Sequence, residues 1–345
     1  ESEWIQPFRV GGNAPFSPAC NDIISRGILN RNDLSKCGID NGFINKMLTN
    51  ARSQNFEPAR PLQTIAEPCT EVYFWGIPFS GKTCALGAIL SAAKNGLAAR
   101  SMIPDNSCQG FGYMNRLSTI FSPGRICRLP GGTPVTSTYE MRFDLEDQEH
   151  KIHHVACIDL AGELFTCMFM KDAGEQMRED QKQALETLHN ILLENRSNNR
   201  KIHFFVIEYG AEKRIYNGLP QAEYLNSAAA HLNSIGLFDS NTDAIYVLIS
   251  KVDNASYEGS LEEHLLKYMT KNYLGFYNNL LLICKEHGIN KGRVKIVPFS
   301  IGNVCFKDYC QFDATSATKM VDLLVRYSCF EKQGFWQKIL SKFRL

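Results

Sequence analysis

The pattern of apolar and polar positions predicts an alternation of strands and helices from residue 71 onward. Residues 71–75 are rich in β-branched and aromatic side chains, which predicts a buried strand, and residues 84–94 are mostly small and aliphatic, which predicts a helix. Further strands are predicted at 137–146, 151–160, 201–208, 243–250 and 293–299, and further helices at 113–121, 164–195, 220–235, 261–287 and 314–327. Such alternation is typical of an α/β fold in which helices cover a central sheet.

The two ends of the chain lack this alternation. Two short helices are predicted at 21–30 and 40–52, so residues 1–70 are interpreted as a small helical N-terminal extension of a main domain at 71–330. The tail, residues 331–345, spaces its apolar residues helically, with basic residues between them. This pattern is typical of a segment that contacts a membrane surface, a protein partner or the domain's own surface.

Composition and charge narrow the class of protein. The 345 residues include 37 basic and 36 acidic side chains, and a net charge of +1 does not indicate nucleic-acid binding. Twelve cysteines without a C-x-x-C pair favour buried free thiols in a reducing cytosol over zinc sites or a disulfide framework. No apolar run reaches about 18 residues, so no membrane span is predicted. The chain does not begin with Met, which is typical of a trimmed or processed product.

The strongest chemical signal is the segment Gly-Ile-Pro-Phe-Ser-Gly-Lys-Thr at 76–83, which fits the phosphate-loop pattern G-x-x-x-x-G-K-[ST]. It stands between a predicted strand and a predicted helix, where backbone N–H groups and the helix N-terminus point at a phosphate. Gly81 leaves room for the backbone to wrap the phosphate, Lys82 supplies a positive charge, and the Thr83 hydroxyl is a ligand for Mg²⁺. We therefore predict a nucleotide-binding protein.

Three further segments follow the ends of predicted strands. Asp159-Leu-Ala-Gly162-Glu163 follows the second strand after the loop, where an acidic residue can hold Mg²⁺ through water and a glycine N–H can approach a γ-phosphate. In Ser-Lys-Val-Asp at 250–253, the Asp253 carboxylate can accept from both the ring N–H and the amino group of guanine. The backbone of Ser-Ile-Gly at 300–302 can meet the guanine oxygen.

In this order the four segments resemble the nucleotide-binding motifs of Ras-like GTPases of the TRAFAC class, and the D-L-A-G-E form is similar to the bacterial double-GTPase branch. The resemblance covers residues 71–330. It implies a P-loop NTPase three-layer fold with a mixed, mostly parallel six-stranded sheet, bound GTP or GDP, Mg²⁺, and switch loops that order around the γ-phosphate. The residues implied to contact the nucleotide are Gly76, Pro78, Phe79, Ser80, Gly81, Lys82, Thr83, Cys84, Ser250, Lys251, Asp253, Ser300 and Ile301. Those implied to act in hydrolysis are Lys82, Gly162 and Glu163, and those implied to bind Mg²⁺ are Thr83, Thr136 and Asp159, with Thr133 as the alternative to Thr136.

The chain also departs from this pattern. Ser250 replaces the usual asparagine, which is expected to weaken a hydrogen bond that ties the loops together, and Glu163 replaces the glutamine that orients the attacking water. Pro78 and Phe79 are bulkier than the usual glycines and are expected to exclude an arginine finger from a partner. The switch I region, 96–136, is long. Three arginines in it are either fingers acting in cis or ordinary surface residues: Arg116, Arg125 and Arg128.

The prediction from sequence is a cytoplasmic GTP-binding switch that hydrolyses GTP slowly, with a protein effector or regulator and with peripheral membrane contact and homodimer formation both open. Two other classes also stay open. One is an ATP-using P-loop enzyme, against which the Asp253 motif argues. The other is a scaffold that binds nucleotide without hydrolysing it, which Glu163 and the bulky phosphate loop favour.

Overall fold

The computed structural model of the protein describes residues 59–123, 126–305, 309–328 and 330–331. The helices predicted at 21–30 and 40–52 lie outside the described residues, as does the tail from residue 332 onward. The helices are α1 (Lys82–Lys94), α2 (Phe111–Ile120), α3 (Leu164–Ala173), α4 (Glu179–His189), α5 (Gln221–Ser234), α6 (Leu261–Asn272), α7 (Leu274–Glu286) and α8 (Thr315–Tyr327). The strands of the central sheet are β1 (Thr70–Trp75), β2 (Ser101–Pro104), β4 (Thr138–Glu146), β5 (Ile152–Leu160), β6 (Arg200–Glu208), β9 (Thr242–Ser250) and β10 (Lys295–Phe299).

The central sheet runs in the order β10-β9-β6-β1-β5-β4-β2. The five strands from β10 to β5 are parallel, whereas β4 pairs antiparallel with both β5 and β2. A two-residue strand, β13 (Phe330–Glu331), pairs with the beginning of β5 outside this order. The mixed α/β architecture agrees with a P-loop NTPase-like fold. The prediction of six strands is wrong by one, because β2 is a seventh strand of this sheet. β2 is short, partly exposed and ends in Pro104, and its sequence shows no strand periodicity.

Successive residues of the central strand β1 pack into two different cores. All six residues of β1 are buried, as expected for a parallel strand covered on both faces. Val72 and Phe74 belong to one apolar cluster, with residues of α1, α2 and α8. Tyr73 and Trp75 belong to the other, with residues of α3, α5 and α7. The sheet is therefore the middle of three layers.

Two of the predicted helices are interrupted in the structure. The segment predicted as one helix at 164–195 ends its first helix at Gly174, whose φ of 70° lies in the left-handed region that favours glycine at a helix end. A second helix, α4, begins five residues later. The segment predicted at 261–287 is broken at Tyr273, whose φ of −134° is not helical. Both single-helix predictions are wrong for this reason, although every residue range they covered is largely helical.

The order of connections places a crevice at the carboxyl end of β1. The chain passes from β1 through β4 to β5 on one side, and then crosses to β6 on the other side of β1. In open α/β sheets, ligands bind at such a reversal, outside the carboxyl ends of the strands. The phosphate loop leaves β1 at this end of the sheet.

Smaller strands lie outside the central sheet. A three-stranded antiparallel sheet has the order β11 (Gly302–Cys305), β12 (Tyr309–Phe312) and β3 (Ile126–Arg128), and a two-stranded ribbon pairs β7 (Ile215–Tyr216) with β8 (Leu219–Pro220). None of these short strands is apparent in the sequence pattern. Among the described helices, none has the length and apolar character needed to cross a membrane.

Candidate nucleotide site

The phosphate loop connects β1 to α1 through backbone conformations that favour glycine. Gly76 has φ 156°, and a Cβ there would lie 2.6 Å from the Val206 carbonyl oxygen. Gly81 has φ 96° and immediately precedes α1, so the free N–H groups of the helix start face the loop. Phe79 also has a positive φ of 65°, and its ring is 77% exposed. A bulky, exposed aromatic in this conformation is strained, and strained residues cluster at functional sites.

Lys82 points back into the loop that precedes it. Its Nζ donates to the carbonyl oxygens of Gly76 at 2.6 Å and Ile77 at 3.0 Å, and the residue is only 5% exposed. Burial lowers the pKa of Lys82 to about 8, while Asp159 and Glu163 act in the opposite direction. The loop therefore holds a buried cation with nearby carboxylates as its charged neighbours.

Three hydroxyl groups converge on one carboxylate at the end of β5. Asp159 Oδ2 accepts from Tyr113 at 2.6 Å and Thr133 at 3.1 Å, and it lies 3.5 Å from Thr83 Oγ1. The Thr83 and Thr133 hydroxyl oxygens are 3.1 Å apart. Burial raises the pKa of Asp159, opposed by the bond from Tyr113 and by the charge of Lys82. Within the described part of the chain, Asp159 Oδ1 is a buried oxygen without a hydrogen-bond partner.

Thr133, the alternative candidate, is the switch-region threonine that reaches this cluster. Thr136 lies in the turn just before β4, and no hydrogen bond joins its side chain to the cluster in the described residues. Tyr113 was not foreseen, because no motif marks it. It lies on the buried face of α2 and stacks on Tyr139 of β4, with ring centroids 3.8 Å apart, which directs its hydroxyl toward Asp159.

Gly162 lies directly against the phosphate loop. A Cβ at this position would be 2.3 Å from Pro78 N and 2.6 Å from the carbonyl carbon of Ile77, so no larger residue fits. Glu163 follows and starts α3, where its carbonyl oxygen accepts from Cys167 N at 3.0 Å. The charge of Glu163 acts, together with that of Asp159, to raise the pKa of Lys82 against the effect of burial.

Ser250 ties the end of β9 to the phosphate loop. Its Oγ donates to the Ser80 carbonyl oxygen at 2.6 Å and lies 3.3 Å from the Ile207 carbonyl oxygen. A Cβ on Gly81 would lie 3.3 Å from the same hydroxyl. The hydrogen bond that ties the loops together is therefore present with serine at this position, whose short side chain reaches the loop directly.

The two segments predicted to read the base meet in the structure. Ser300 Oγ donates to Asp253 Oδ1 at 2.7 Å and accepts from Gly302 N at 3.0 Å. Asp253 is exposed, and the backbone of Ile301 follows at the end of β10. The contact brings together residues from the ends of two neighbouring parallel strands, β9 and β10.

A buried carboxylate that the sequence motifs did not indicate lies beside this region. Glu208, at the end of β6, accepts from Lys251 Nζ at 2.7 Å and from Arg214 at 2.9 Å. Lys251 itself has φ 59°, a left-handed conformation. Its side chain is thus held by an ion pair at the edge of the candidate base site. The only sequence signal was the position of Glu208 at the end of a predicted strand.

The other predicted residues occupy less definite positions. Cys84 follows Thr83 in the first turn of α1. Burial raises the pKa of its thiol to about 12, so the thiol is uncharged at neutral pH. Among the arginines proposed as fingers, Arg116 is exposed on α2. Arg125 lies outside the described residues, and only the backbone of Arg128 is described, in β3.

Comparisons with known proteins were made by sequence and by structure. No protein-family model matches the chain, and no curated protein is similar to it in sequence. Among solved structures, the chain is similar to Roco2 RocCORdC of Methanosarcina barkeri bound to GDP, with a TM-score of 0.31 and 13% sequence identity. The match covers 84% of this chain and 59% of that one. A similarity this weak does not establish the family of the chain or its ligand.

Proposed function

We propose that this chain is a guanine-nucleotide-binding switch protein that hydrolyses GTP slowly with Mg²⁺. The observation that carries the proposal is the convergence of Thr83, Thr133 and Asp159 next to Lys82. These residues come from the phosphate loop, the long loop before β4 and the end of β5. A site with a phosphate-binding loop on one side and acceptor oxygens for a divalent cation on the other is what a nucleoside triphosphate requires.

The phosphate loop supplies the positive side of the proposed site. Lys82 is buried, and among the described residues its hydrogen-bond acceptors are neutral carbonyl oxygens; a phosphate oxygen is a stronger acceptor for its ammonium group. The N–H groups at the start of α1 add the positive end of the helix dipole. Binding a phosphate would therefore relieve the desolvation that lowers the pKa of Lys82.

The residues around Asp159 fit Mg²⁺. Ligands of an octahedral magnesium ion at 2.0–2.1 Å lie about 2.9 Å from their neighbours, and the Thr83 and Thr133 oxygens are 3.1 Å apart. Asp159 Oδ1 is buried and has acceptor capacity left among the described residues. The described residues contain no cluster of three or more Asp, Glu, His or Cys that could hold a metal. Magnesium typically uses only one or two carboxylates and completes its shell with water and substrate phosphates, where it neutralises negative charge.

The proposed base site selects guanine through Asp253. Its exposed carboxylate has two oxygens that accept, one of which takes the Ser300 hydroxyl. Guanine presents a ring N–H and an amino group side by side, which match the two oxygens of a carboxylate, and adenine does not present this pair. In this proposal the bond between Asp253 and Ser300 opens when guanine binds.

Slow hydrolysis follows from Glu163. An ionised glutamate can accept a hydrogen bond from the attacking water but cannot donate one to the transition-state oxygens. A negative charge at this position, directly after Gly162, would also oppose the development of further negative charge at a γ-phosphate. The scaffold that binds nucleotide without turnover is the second candidate, and the exposed Phe79 at the mouth of the loop supports it.

The experiment is to denature freshly purified protein and identify the released nucleotide by mass spectrometry. GTP or GDP at close to one equivalent is the expected result, and ATP or ADP would replace the proposal with an ATP-using enzyme. Nucleotide-free protein is then loaded with GTP and followed for phosphate release with and without Mg²⁺. Release that needs Mg²⁺ supports the switch, and no release over many hours supports the scaffold.

A further inference from the structure

Two buried cysteines face each other in the small three-stranded sheet. Cys127 on β3 and Cys310 on β12 are directly opposite in the antiparallel register, although 183 positions separate them in the chain. Their Sγ atoms are 3.6 Å apart, and the residues are 8% and 0% exposed. The two thiols thus form a close pair that the proposed nucleotide chemistry does not use.

The backbone arrangement is compatible with a disulfide. Directly opposed residues of antiparallel strands have Cα atoms about 4.5–5.5 Å apart, which falls inside the range of about 4.4–6.8 Å found for disulfides. The sulfur atoms need to approach by about 1.6 Å to reach the S–S bond length. β3 is a three-residue strand at the edge of its sheet, and among the described strands it pairs with β12 alone, so a small displacement disturbs one strand pairing.

The cysteine pair lies between two segments of the candidate site. The Cys310 thiol donates to the Ile301 carbonyl oxygen at 3.7 Å, next to Ser300 of the base segment. Cys127 precedes Thr133 by six residues in the same loop. A covalent link between the two sulfurs would therefore fasten the loop that delivers Thr133 to the segment that follows β10.

We propose that Cys127 and Cys310 are a redox modification site, at which hydrogen peroxide oxidises the pair to a reversible disulfide that joins β3 to β12. The bridge is expected to slow the release of guanine nucleotide, and this second effect rests on the proposed function. Disulfides of proteins in reducing compartments are usually transient and serve in catalysis or redox sensing.

The reaction takes place in two balanced steps. The Cys127 thiolate attacks one peroxide oxygen, forming an S–O bond and breaking the O–O bond, and the expelled hydroxide is protonated to water. The Cys310 sulfur then attacks the Cys127 sulfur, the S–S bond forms, and the second hydroxide leaves as water with the proton from Cys310. Peroxide is reduced and both thiols are oxidised. Cys127 is the attacking residue because it is the more exposed of the two, and because the neighbouring Cys310 side chain lowers the pKa of Cys127 against the effect of burial.

The test treats the full chain with hydrogen peroxide, blocks the remaining thiols, and digests the protein for mass spectrometry without reductant. The expected result is a linked peptide pair containing Cys127 and Cys310 that disappears after dithiothreitol. Cys127→Ala and Cys310→Ala should each abolish it, whereas Cys284→Ala, at an equally buried position on α7, should retain it. Thermal unfolding of each variant checks that it folds. If Cys127→Ala does not fold, Cys127→Ser is used in its place.

Other outcomes of this experiment contradict the proposal. Cys127 and Cys310 both recovered as blocked thiols, or as sulfinic or sulfonic acids without a linked peptide, would overturn it. So would a bridge from Cys127 to Cys84, the partly exposed cysteine on α1, or to Cys305 on β11, the strand on the other side of β12.

The effect on nucleotide is measured separately, as release of a fluorescent GDP from oxidised and reduced protein. Oxidation is expected to slow release at least about threefold, because the bridge restricts opening of the loops, and Cys310→Ala should show no change on oxidation. Equal rates with the bridge present would refute the link to nucleotide release. Protein that forms the bridge but binds no nucleotide would refute the proposed function and leave the modification site standing.

Discussion

The phosphate side and the base side of the candidate site are built in different ways. Lys82 and Asp159 are almost completely buried, and they are positioned by the start of a helix and the end of a central strand. Asp253 and Lys251 lie in exposed or half-exposed loops, and their side chains are held by Ser300 and Glu208. Desolvation therefore dominates the pKa shifts of Lys82 and Asp159 on the phosphate side, whereas the charged groups of the base side are half-exposed or exposed and hydrogen-bonded to these partners.

We expect the phosphate side to determine the affinity for nucleotide and the base side to determine which base is preferred. On the phosphate side, a ligand relieves the cost of burying charged groups, so it gains the larger share of binding free energy. On the base side, a ligand must replace existing hydrogen bonds and gains little net free energy, but a mismatched base leaves polar groups unpaired. Substitutions on the two sides should therefore fail in different ways.

The largest effect is expected from Lys82→Ala. Removing the buried ammonium group should lower GTP affinity at least about 100-fold, because the phosphates lose a charge-assisted hydrogen bond in a water-poor loop. Calorimetric titration measures the change, and Lys94→Ala, at the exposed far end of the same helix, is the matched control. Equal GTP affinities for the wild type and the Lys82 variant would show that this loop does not bind the phosphates.

The next effect is expected from Gly162→Ala. The new Cβ would lie 2.3 Å from Pro78 N, so the phosphate loop must shift, at a cost of about 1–3 kcal/mol in the free energy of unfolding and with weakened nucleotide binding. Gly112→Ala is the control, since nothing lies within 4 Å of the new Cβ on α2. The control should gain about 0.5–1 kcal/mol from helix propensity. Denaturant unfolding that ranks the two variants alike would show that Gly162 is not packed against the loop.

A pH experiment tests how deeply the phosphate side is buried. The folded pKa of Lys82, about 8, is below the ordinary value of 10.5. Nucleotide-free protein therefore gains stability as pH rises from about 8 to 10.5, because only the unfolded chain keeps the proton there. Lys82→Met has no ammonium group to desolvate, so its free energy of unfolding at pH 7 should exceed that of the wild type by at most about 3 kcal/mol. This difference between the two proteins should disappear as the pH rises toward 10.5.

The control for this experiment is Lys94→Met, because Lys94 is exposed and should not alter the pH profile. Comparing variants also removes the contribution of buried cysteines that titrate in the same range. A gap between Lys82→Met and wild type that does not depend on pH would mean that the ammonium group is well solvated.

On the base side, Asp253→Asn should alter the preference between nucleotide bases. The binding of the phosphates to the phosphate loop should change little. The amide offers a donor where xanthine has an oxygen, so preference should move from GTP toward xanthosine triphosphate by about 1–3 kcal/mol. Competition binding with the two nucleotides measures it. Ser300→Ala removes only the hydroxyl that donates to Asp253, and it should keep the preference for guanine. If Asp253→Asn ranks the two nucleotides as wild type does, the carboxylate does not read the base.

The smallest effect is expected from Glu163→Gln. Removing a negative charge near the γ-phosphate and adding a donor should speed single-turnover hydrolysis by about tenfold or less, roughly 1 kcal/mol in the barrier. A much slower variant would instead identify Glu163 as the general base. Equal rates would place its side chain away from the reaction.

The sequence was sufficient to predict most of the central elements because their signals are local. Strand 243–250, for example, has a continuous apolar run, and β9 covers Thr242–Ser250. The phosphate-loop motif likewise predicts a strand, a turn and a helix in that order, and the structure has all three. The broken helices were predicted less well, although Gly174 carried a usable stop signal.

The rest of the site depends on contacts between distant segments. Thr133 and Thr136 are equally suited by residue type, and only the path of the loop decides which one approaches Asp159. Tyr113 reaches the same carboxylate from 46 positions away because α2 packs on β4. Glu208 binds Lys251, 43 positions away, because the ends of β6 and β9 are adjacent in the sheet. None of these pairings has a local pattern, so no reading of one sequence could have specified them.

The absence of a side chain at Gly162 makes the phosphate loop and the start of α3 mechanically interdependent. Their backbones are in close contact at this point. A movement of Pro78 toward Gly162 would therefore displace Gly162, and a movement of Pro78 away from it would open space next to Gly162. Since α3 begins two residues later, such a displacement would act on the first turn of this helix. At its far end α3 is joined to α5 through Asp172 and His231, 2.8 Å apart. A movement of the phosphate loop would thus act on the start of a helix whose other end contacts α5.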